Sequence, residues 1–393
     1  MKNFVDIKDF TAAEINAVLN SAIENKNHNL SPEVLLSGKN LILFFEKNST
    51  RTRLSFDLAV KQLGGSSIIL NGSDIHLSSG KESLSDTIKT FGLYSDGVVM
   101  RVNNHQTILD TIEVSSVPII NGLSNLSHPC QCMAGLMTII EEKGSLENLN
   151  ITWFGPITNV AHSWIEAHSK NLGFKFSIFS PDRSRELYLS KITKYKENLN
   201  LANGKYDLII HGMALHWAND PVGQLIQARL ALKNDGLMIA VCLGGTTLNE
   251  LRNVFIEAET KLFGGIHPRF MPLAEIRDLG SLIQRAGFTL PVADSVITEC
   301  LYNGFYKILH DLRAMAETNV LINRTKYFSR RGLFQYASEL YQKQYSRPGK
   351  MVSATYEHIY LTGWAPDPSQ QKPLRPGSAQ SRLADALRSK ESY

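Results

Sequence analysis

Residues 41–70 read LILFFEKNSTRTRLSFDLAVKQLGGSSIIL, and the order of residue types along them decides the fold. Leu41 to Phe45 is a short apolar run bounded by polar residues, the pattern of a buried strand. After the EKN turn, Leu54, Leu58 and Val60 to Leu63 predict a helix that stops at Gly64-Gly65, and Ser67 to Leu70 predicts a second strand. Strand, loop, helix, strand is the grammar of an open parallel α/β sheet. Upstream, Thr11 with Glu14 three residues on forms a capping box, and Ile15, Val18, Leu19 and Ala22 mark one face of a helix.

Ser49 to Arg53 therefore fall at the loop end and first turn of a helix, where unpaired backbone N–H groups and the positive dipole end point outward. Hydroxyls add donors and guanidinium groups add forks suited to phosphate oxygens, so the segment suits a small phosphorylated anion. A plain cap by Ser49 or Thr50 with solvated arginines explains the same residues. VVMR at 98–101 puts Arg101 at the carboxyl end of a predicted strand, the edge where open α/β sheets bind ligands. HPCQCMAGLMTIIEEKG at 128–144 has Pro129 at a first helical position, an apolar stripe of Met133, Leu136, Met137 and Ile140, and Gly144 to end it. His128 and Gln131 then sit at a second helix N-terminus. A lone histidine there is more often a cap or core residue, but an imidazole and an amide beside a phosphate cradle could grip a carbonyl and an amino group. Phosphate, carbonyl and amino group together describe carbamoyl phosphate.

The whole chain sets wider bounds. Its 393 residues suggest two or three domains, and 43% hydrophobic with 20% charged residues is ordinary for a soluble globular protein. A net charge of +4 is too small to argue for a nucleic-acid partner. Four cysteines form no disulfide framework, no Cys/His set has zinc-ligand spacing, and a reducing compartment is expected. The opening MKNFVDIKDF lacks the apolar region of a signal peptide, and no run approaches a membrane span, so a cytoplasmic location with no membrane partner is the expectation.

STRTR at 49–53 followed by HPCQ at 128–131 resembles the paired signature of the aspartate/ornithine carbamoyltransferase family. PIINGLSNLSHPCQ is similar to the ornithine branch, and KESLSDT at 81–87 fits the segment between the motifs. The resemblance covers about residues 1–185. It implies that Ser49, Thr50, Arg51 and Thr52 hold the phosphate, Arg101 bridges phosphate and carbonyl oxygen, His128 donates to that oxygen, and Gln131 orients the carbamoyl nitrogen. Arg51, Arg101 and His128 would be the catalytic set. L-ornithine is the implied second substrate, citrulline and phosphate the products, with no metal or organic cofactor. A homotrimer, in which the loop around 76–83 completes a neighbour's site, is implied too. ITWFGPITNVAHSW resembles the start of the ornithine-binding domain, with Asn159 at the position that contacts ornithine, although the usual aspartate and one asparagine of that turn are missing.

Beyond about residue 185 the pattern stops. The family's D-x-x-x-S-M-G and H-C-L-P loops are absent, and Val241-Cys242-Leu243-Gly244 is a partial echo in which Cys242 reads as a buried strand residue. Residues about 204–380 resemble instead the latter half of a class I S-adenosylmethionine methyltransferase of the BioC-like and complex I assembly-factor group, as if fused within KENLNLANGK. YDLII and DGLMIAV predict buried strands, Val222, Leu225 and Ile226 a helix between them, and TTLNELRNVFIEAETKL another helix. The Gly-rich cofactor turn of that family is missing, since FGPIT offers one glycine. Tyr206-Asp207 and Leu215-His216-Trp217 read as strand-end and packing residues. The expected layout is a carbamoyl phosphate-binding domain (1–148), the start of an ornithine-binding-like domain (149–200), a methyltransferase-like region (201–365) and a flexible tail (366–393). Both domains would be open parallel α/β, the second a composite Rossmann-like domain followed by helices. Three functions stay open: an ornithine carbamoyltransferase-type enzyme lacking its amine-side loops, a methyltransferase-like binding or assembly protein carrying an anion-binding module, and an inactive hybrid that only binds small anions.

Overall fold

The computed structural model describes residues 2–28, 35–46, 49–72, 83–179, 201–315, 317–325, 327, 329 and 331–371. Among them α1 (Ala12–His28), β1 (Asn40–Phe45), α2 (Thr50–Gln62), β2 (Ser66–Asn71), α3 (Leu84–Tyr94), β3 (Gly97–Arg101), α4 (His105–Val114), β4 (Ile119–Leu123) and α5 (Pro129–Lys143) follow in order. The four strands make one parallel sheet in the order β2-β1-β3-β4. The capping box closes as the sequence predicts, with the Thr11 N–H donating to Glu14 at 2.8 Å and the Glu14 N–H to Thr11 at 3.2 Å. Ile42, Phe44, Val98, Met100 and Ile119 fill one side of the sheet and Leu43, Phe45 and Val99 the other, so both faces are covered, as a parallel sheet requires. One detail departs from the apolar pattern: Leu54 and Leu58 stand 53% and 54% exposed, on the outer face of α2.

The second sheet begins with β5 (Asn150–Phe154), α6 (Asn159–Ser169) and β6 (Lys175–Phe179). It resumes with β7 (Tyr206–Gly212), a 3-10 turn at Leu215–Trp217, α7 (Pro221–Ala231), β8 (Leu232–Leu243), α8 (Asn249–Phe263) and α9 (Ile276–Arg285). β9 (Thr289–Tyr302), α10 (Phe305–Ala314), α11 (Arg331–Tyr345), β10 (Ser346–Arg347) and β11 (Met351–Trp364) complete it. β6, β5, β7 and β8 are parallel neighbours in that order, while β11 runs antiparallel to β8 on one side and to β9 on the other. The expected parallel α/β sheet is present in four strands, and β11 and β9 extend it as an antiparallel edge where only helices and a tail were expected after the composite domain. The predicted strands YDLII and DGLMIAV and the helix between them are present. Phe154 of β5 packs in one core with Ile209, Leu225, Met238, Ile359 and Leu361, so strands from either side of the proposed junction share a single interior. Most of the junction itself (180–200), the segment 73–82 and residues 372–393 of the proposed tail lie outside the described residues.

The two sheets are joined at the chain's start. Phe4 bridges to Ile120 beside β4, and Asn121 donates its amide to the Val5 carbonyl at 3.0 Å. Two residues on, the Ile7 N–H donates to Glu166 of α6 at 3.1 Å. Between them Asp6, 2% exposed, takes a hydrogen bond from Ser127 and lies 3.0 Å from Lys8 and 3.4 Å from His105. Burial alone would raise the Asp6 carboxyl, but the bonds from His105, Ser127 and Lys8 outweigh it and hold the group well below the usual carboxylate range.

Candidate functional site

In the first sheet the chain leaves β1 toward β2 on one side and returns to β3 on the other. The carboxyl ends of β1 and β3 therefore flank a topological switch point, the crevice where such sheets bind ligands. Ser49, which follows β1, is the N-cap of α2: its hydroxyl accepts from the Thr52 N–H at 3.4 Å and donates to the Thr52 hydroxyl at 3.0 Å. Arg101, the last residue of β3, donates from Nη1 to the Thr52 hydroxyl at 3.0 Å, across 49 residues of sequence. Its Nε is buried with no hydrogen-bond partner among the described residues. Thr50 and Arg51 are exposed at the same helix end, and Arg53 beside them is exposed too.

His128 is the N-cap of α5, with Pro129 at the first helical position and Gly144 closing the far end. Its side chain makes no capping bond, and its buried Nδ1 lacks a partner among the described residues. Its backbone N–H donates to Ser163 of α6 at 3.0 Å. Burial, and then the positive charge of Arg101, lower the imidazole to about 4, so His128 is neutral at neutral pH. The influence of Arg101 on His128, with the Arg101–Thr52 bond, brings Ser49, Thr52, Arg101 and His128 to one crevice. Gln131 stands exposed on the first turn of α5. Two helix N-termini and a desolvated guanidinium thus converge with no carboxylate bonded to them among the described residues, an arrangement that favours an anion.

Asn159 opens α6 and is occupied: its amide donates to the Ser124 carbonyl at 2.8 Å and its oxygen accepts from the Val160 N–H at 3.0 Å. That ties α6 to the loop before α5. Cys242 is buried in β8 at 1% exposure, and burial, with the Glu357 carboxylate, pushes its thiol up to about 12; it behaves as the inert strand residue the sequence suggests. The glycine of FGPIT is used within the protein. Gly155 sits at φ +134°, and a Cβ there would strike the carbonyl oxygen of Gly212 at the end of β7. The close approach that a glycine permits is taken by a neighbouring strand. Sequence reasoning missed Ser163, which anchors His128 from 35 residues away, and His358 of β11. Burial, then the charge of Arg51, lower the His358 pKa, so the second sheet faces the Arg51 side of the cradle. Neither pairing leaves a local signal, because each joins elements distant in sequence.

Among the described residues no group of three or more His, Cys, Asp or Glu side chains gathers as a metal site, and no helix is long and apolar enough to cross a membrane.

Residues 2–141 match the family described as aspartate/ornithine carbamoyltransferase, carbamoyl-P binding domain. An ornithine carbamoyltransferase of Rhizorhabdus wittichii is 39% identical over 188 residues, covering 46% of this chain and 60% of the relative. One from Campylobacter jejuni is 42% identical over 183 residues, covering 46% and 58%. The chain thus spans about 60% of the length of such relatives. Among solved structures, the ornithine carbamoyltransferase of Burkholderia thailandensis superposes with a TM-score of 0.50 at 26% identity, covering 61% of this chain and 84% of that one.

Proposed function

We propose, from the match of residues 2–141 to the carbamoyl-P binding domain of the aspartate/ornithine carbamoyltransferase family, that the protein binds carbamoyl phosphate and transfers the carbamoyl group to an amine. Ornithine is the acceptor named by the relatives, and citrulline and phosphate would be the products. One observation carries the reading: Arg101 bonded to Thr52 while its charge falls on His128, at the switch point between β1 and β3. Ser49, Thr50, Arg51 and Thr52 would hold the phosphate at the N-terminus of α2. Arg101 would span phosphate and carbonyl oxygen, neutral His128 would offer an N–H to that oxygen, and Gln131 would orient the amide nitrogen.

In the reaction the amine lone pair attacks the carbonyl carbon. Charge builds on the carbonyl oxygen, the carbon–oxygen bond to phosphate breaks, and phosphate leaves while the amine sheds a proton. Fixed cations and donors at both oxygens lower that barrier by electrostatic stabilisation and positioning. Asn159 would contact the acceptor only through what its bond to Ser124 leaves free. A homo-oligomer, on the family's pattern a trimer, is supported by the exposed Leu54 and Leu58 of α2.

A second reading, a methyltransferase-like binding or assembly protein fused to an anion-binding module, has one observation in its favour. Strands within residues 206–364 join β5 and β6 in one sheet and share a core with Phe154. Against S-adenosylmethionine itself stands Gly155, whose free space Gly212 already fills. Calorimetry on one preparation separates the readings. The first expects heat from carbamoyl phosphate, its loss in Arg51→Ala, and no heat from S-adenosylmethionine. Heat from S-adenosylmethionine alone reverses the order, and carbamoyl phosphate binding with no citrulline at saturating substrates leaves an anion-binding hybrid.

A further inference from the structure

A cavity of about 590 Å³ lies at the carboxyl edge of the second sheet, beyond the ends of β5, β7 and β8 and against β11, α8 and α10. It shares no residue with the Ser49–Arg101–His128 crevice. Its volume falls within the range of about 300–1,000 Å³ common for small-molecule sites. Much of its wall is apolar, with Trp217, Leu251, Phe255, Met271 and Phe334 among the lining side chains. Three features mark it as more than a packing defect. Met213 and Leu248, both in the wall, hold left-handed backbone at φ 50° and 54°, a strained state for bulky residues that tends to gather at ligand sites. His216, also in the wall, has a side chain 2% exposed whose Nδ1 finds no partner among the described residues. The third feature is charge.

Arg252, Arg269 and Arg313 all line the cavity. Arg269 is satisfied by Glu259 at 2.7 Å. The lining carboxylate Glu317 lies 3.4 Å from His216. That leaves Arg252, held by a 3.5 Å bond to the Gly245 carbonyl, and Arg313 at the exposed rim, neither paired with a carboxylate among the described residues. A half-buried guanidinium beside apolar walls gains most from a ligand that brings both an anionic group and a hydrocarbon body. An amine would meet two arginines and a carboxylate already opposite an imidazole.

We propose that this cavity binds an apolar carboxylic acid, its carboxylate at Arg252 and Arg313 and its carbon skeleton against Trp217 and Phe255. The cavity borders the first crevice, since His358 in its wall feels the charge of Arg51, but its test is read without carbamoyl transfer. Titration calorimetry of the full chain compares octanoate with octanamide and octylamine, which keep the chain and change the head group. Octanoate saturates at one per chain and binds on the order of tenfold or more tightly than either analogue, the worth of a charge-assisted contact. Arg252→Met and Arg313→Met each weaken octanoate several-fold and leave octanamide unchanged. Arg313 is exposed, so Arg313→Met still folds and decides the matter should Arg252→Met not. Equal binding of octanamide or octylamine, no saturable octanoate binding, or octanoate affinity untouched by the substitutions overturns the proposal. Carbamoyl phosphate affinity in Arg313→Met stays at the unsubstituted value, which separates this site from the cradle.

Discussion

Both sheets have a switch point, and they use it in opposite ways. In the first, the crevice between β1 and β3 is lined by side chains with polar atoms that lack partners among the described residues, Arg101 Nε and His128 Nδ1 among them. In the second, the corresponding crevice between β5 and β7 is shut by backbone, Gly155 against the carbonyl of Gly212, and the open volume is displaced toward β8 and β11. The same strand–helix grammar yields a crevice lined by Ser49, Thr52, Arg101 and His128 in one case and a largely apolar cavity in the other. Strand order sets where a ligand can go, and the residues at the strand ends set whether it does.

The largest expected effect tests what joins the two regions. Asp6→Asn weakens the bonds that Ser127, Lys8 and His105 make to a buried carboxylate and should destabilise the protein by about 3 kcal/mol, read from urea unfolding. The sign with pH follows from the lowered Asp6 carboxyl. Its stabilisation is complete above the ordinary carboxylate range and is lost as pH falls toward the lowered value, so the variant's acid limb should be flatter than that of the unsubstituted chain. Parallel acid limbs would mean that Asp6 does not couple the sheets.

Next comes the cradle. Arg101→Ala should weaken carbamoyl phosphate binding on the order of 100-fold, about 2.7 kcal/mol, by calorimetry, while leaving octanoate binding alone. Unchanged carbamoyl phosphate affinity would break the contrast between the two sites. On the shut side, Gly155→Ala should cost about 2 kcal/mol, because the methyl group must displace the β7 backbone from a left-handed position. An unaltered thermal transition would show that the crevice between β5 and β7 has room after all. The smallest effect is a titration. In an NMR pH series the His128 ring should change protonation near 4, against about 6.5 for a free imidazole. Since the unfolded chain binds that proton first, His128 disfavours the fold progressively as pH drops from about 6.5 to 4. A midpoint near 6.5 would place His128 in solvent, away from Arg101.

Much of the first sheet was legible because its signals are local. Apolar runs bounded by turn residues gave β1 and β2, the hydroxyl at Ser49 gave a cap, and Pro129 with Gly144 bracketed α5. The second sheet was legible only in part. YDLII and DGLMIAV are largely apolar runs, but β9 alternates half-buried and exposed along 14 residues and owes its place to pairing with β11, about 60 positions downstream. The helix predicted from Thr246 starts at Asn249, because Thr246 and Thr247 are bonded to Glu357 of β11 and Leu248 turns left-handed. At the site, residue identities were readable and their conjunction was not. No spacing rule announces that Arg101 meets Thr52, or that Ser163 anchors His128.

The joint at residues 4–7 also sets a timetable for synthesis. Its partners lie at Ile120, Asn121 and Ser127, and finally at Glu166, 159 residues beyond Ile7. Residues 4–6 can therefore dock on the first sheet as soon as residues 120–127 are made, whereas the Ile7–Glu166 bond must wait for the first helix of the second sheet. A fragment ending before residue 159 would carry Ser49, Thr52, Arg101 and His128 and the ties of residues 4–6 to the first sheet, and would lack only the clasp from Ile7 to Glu166.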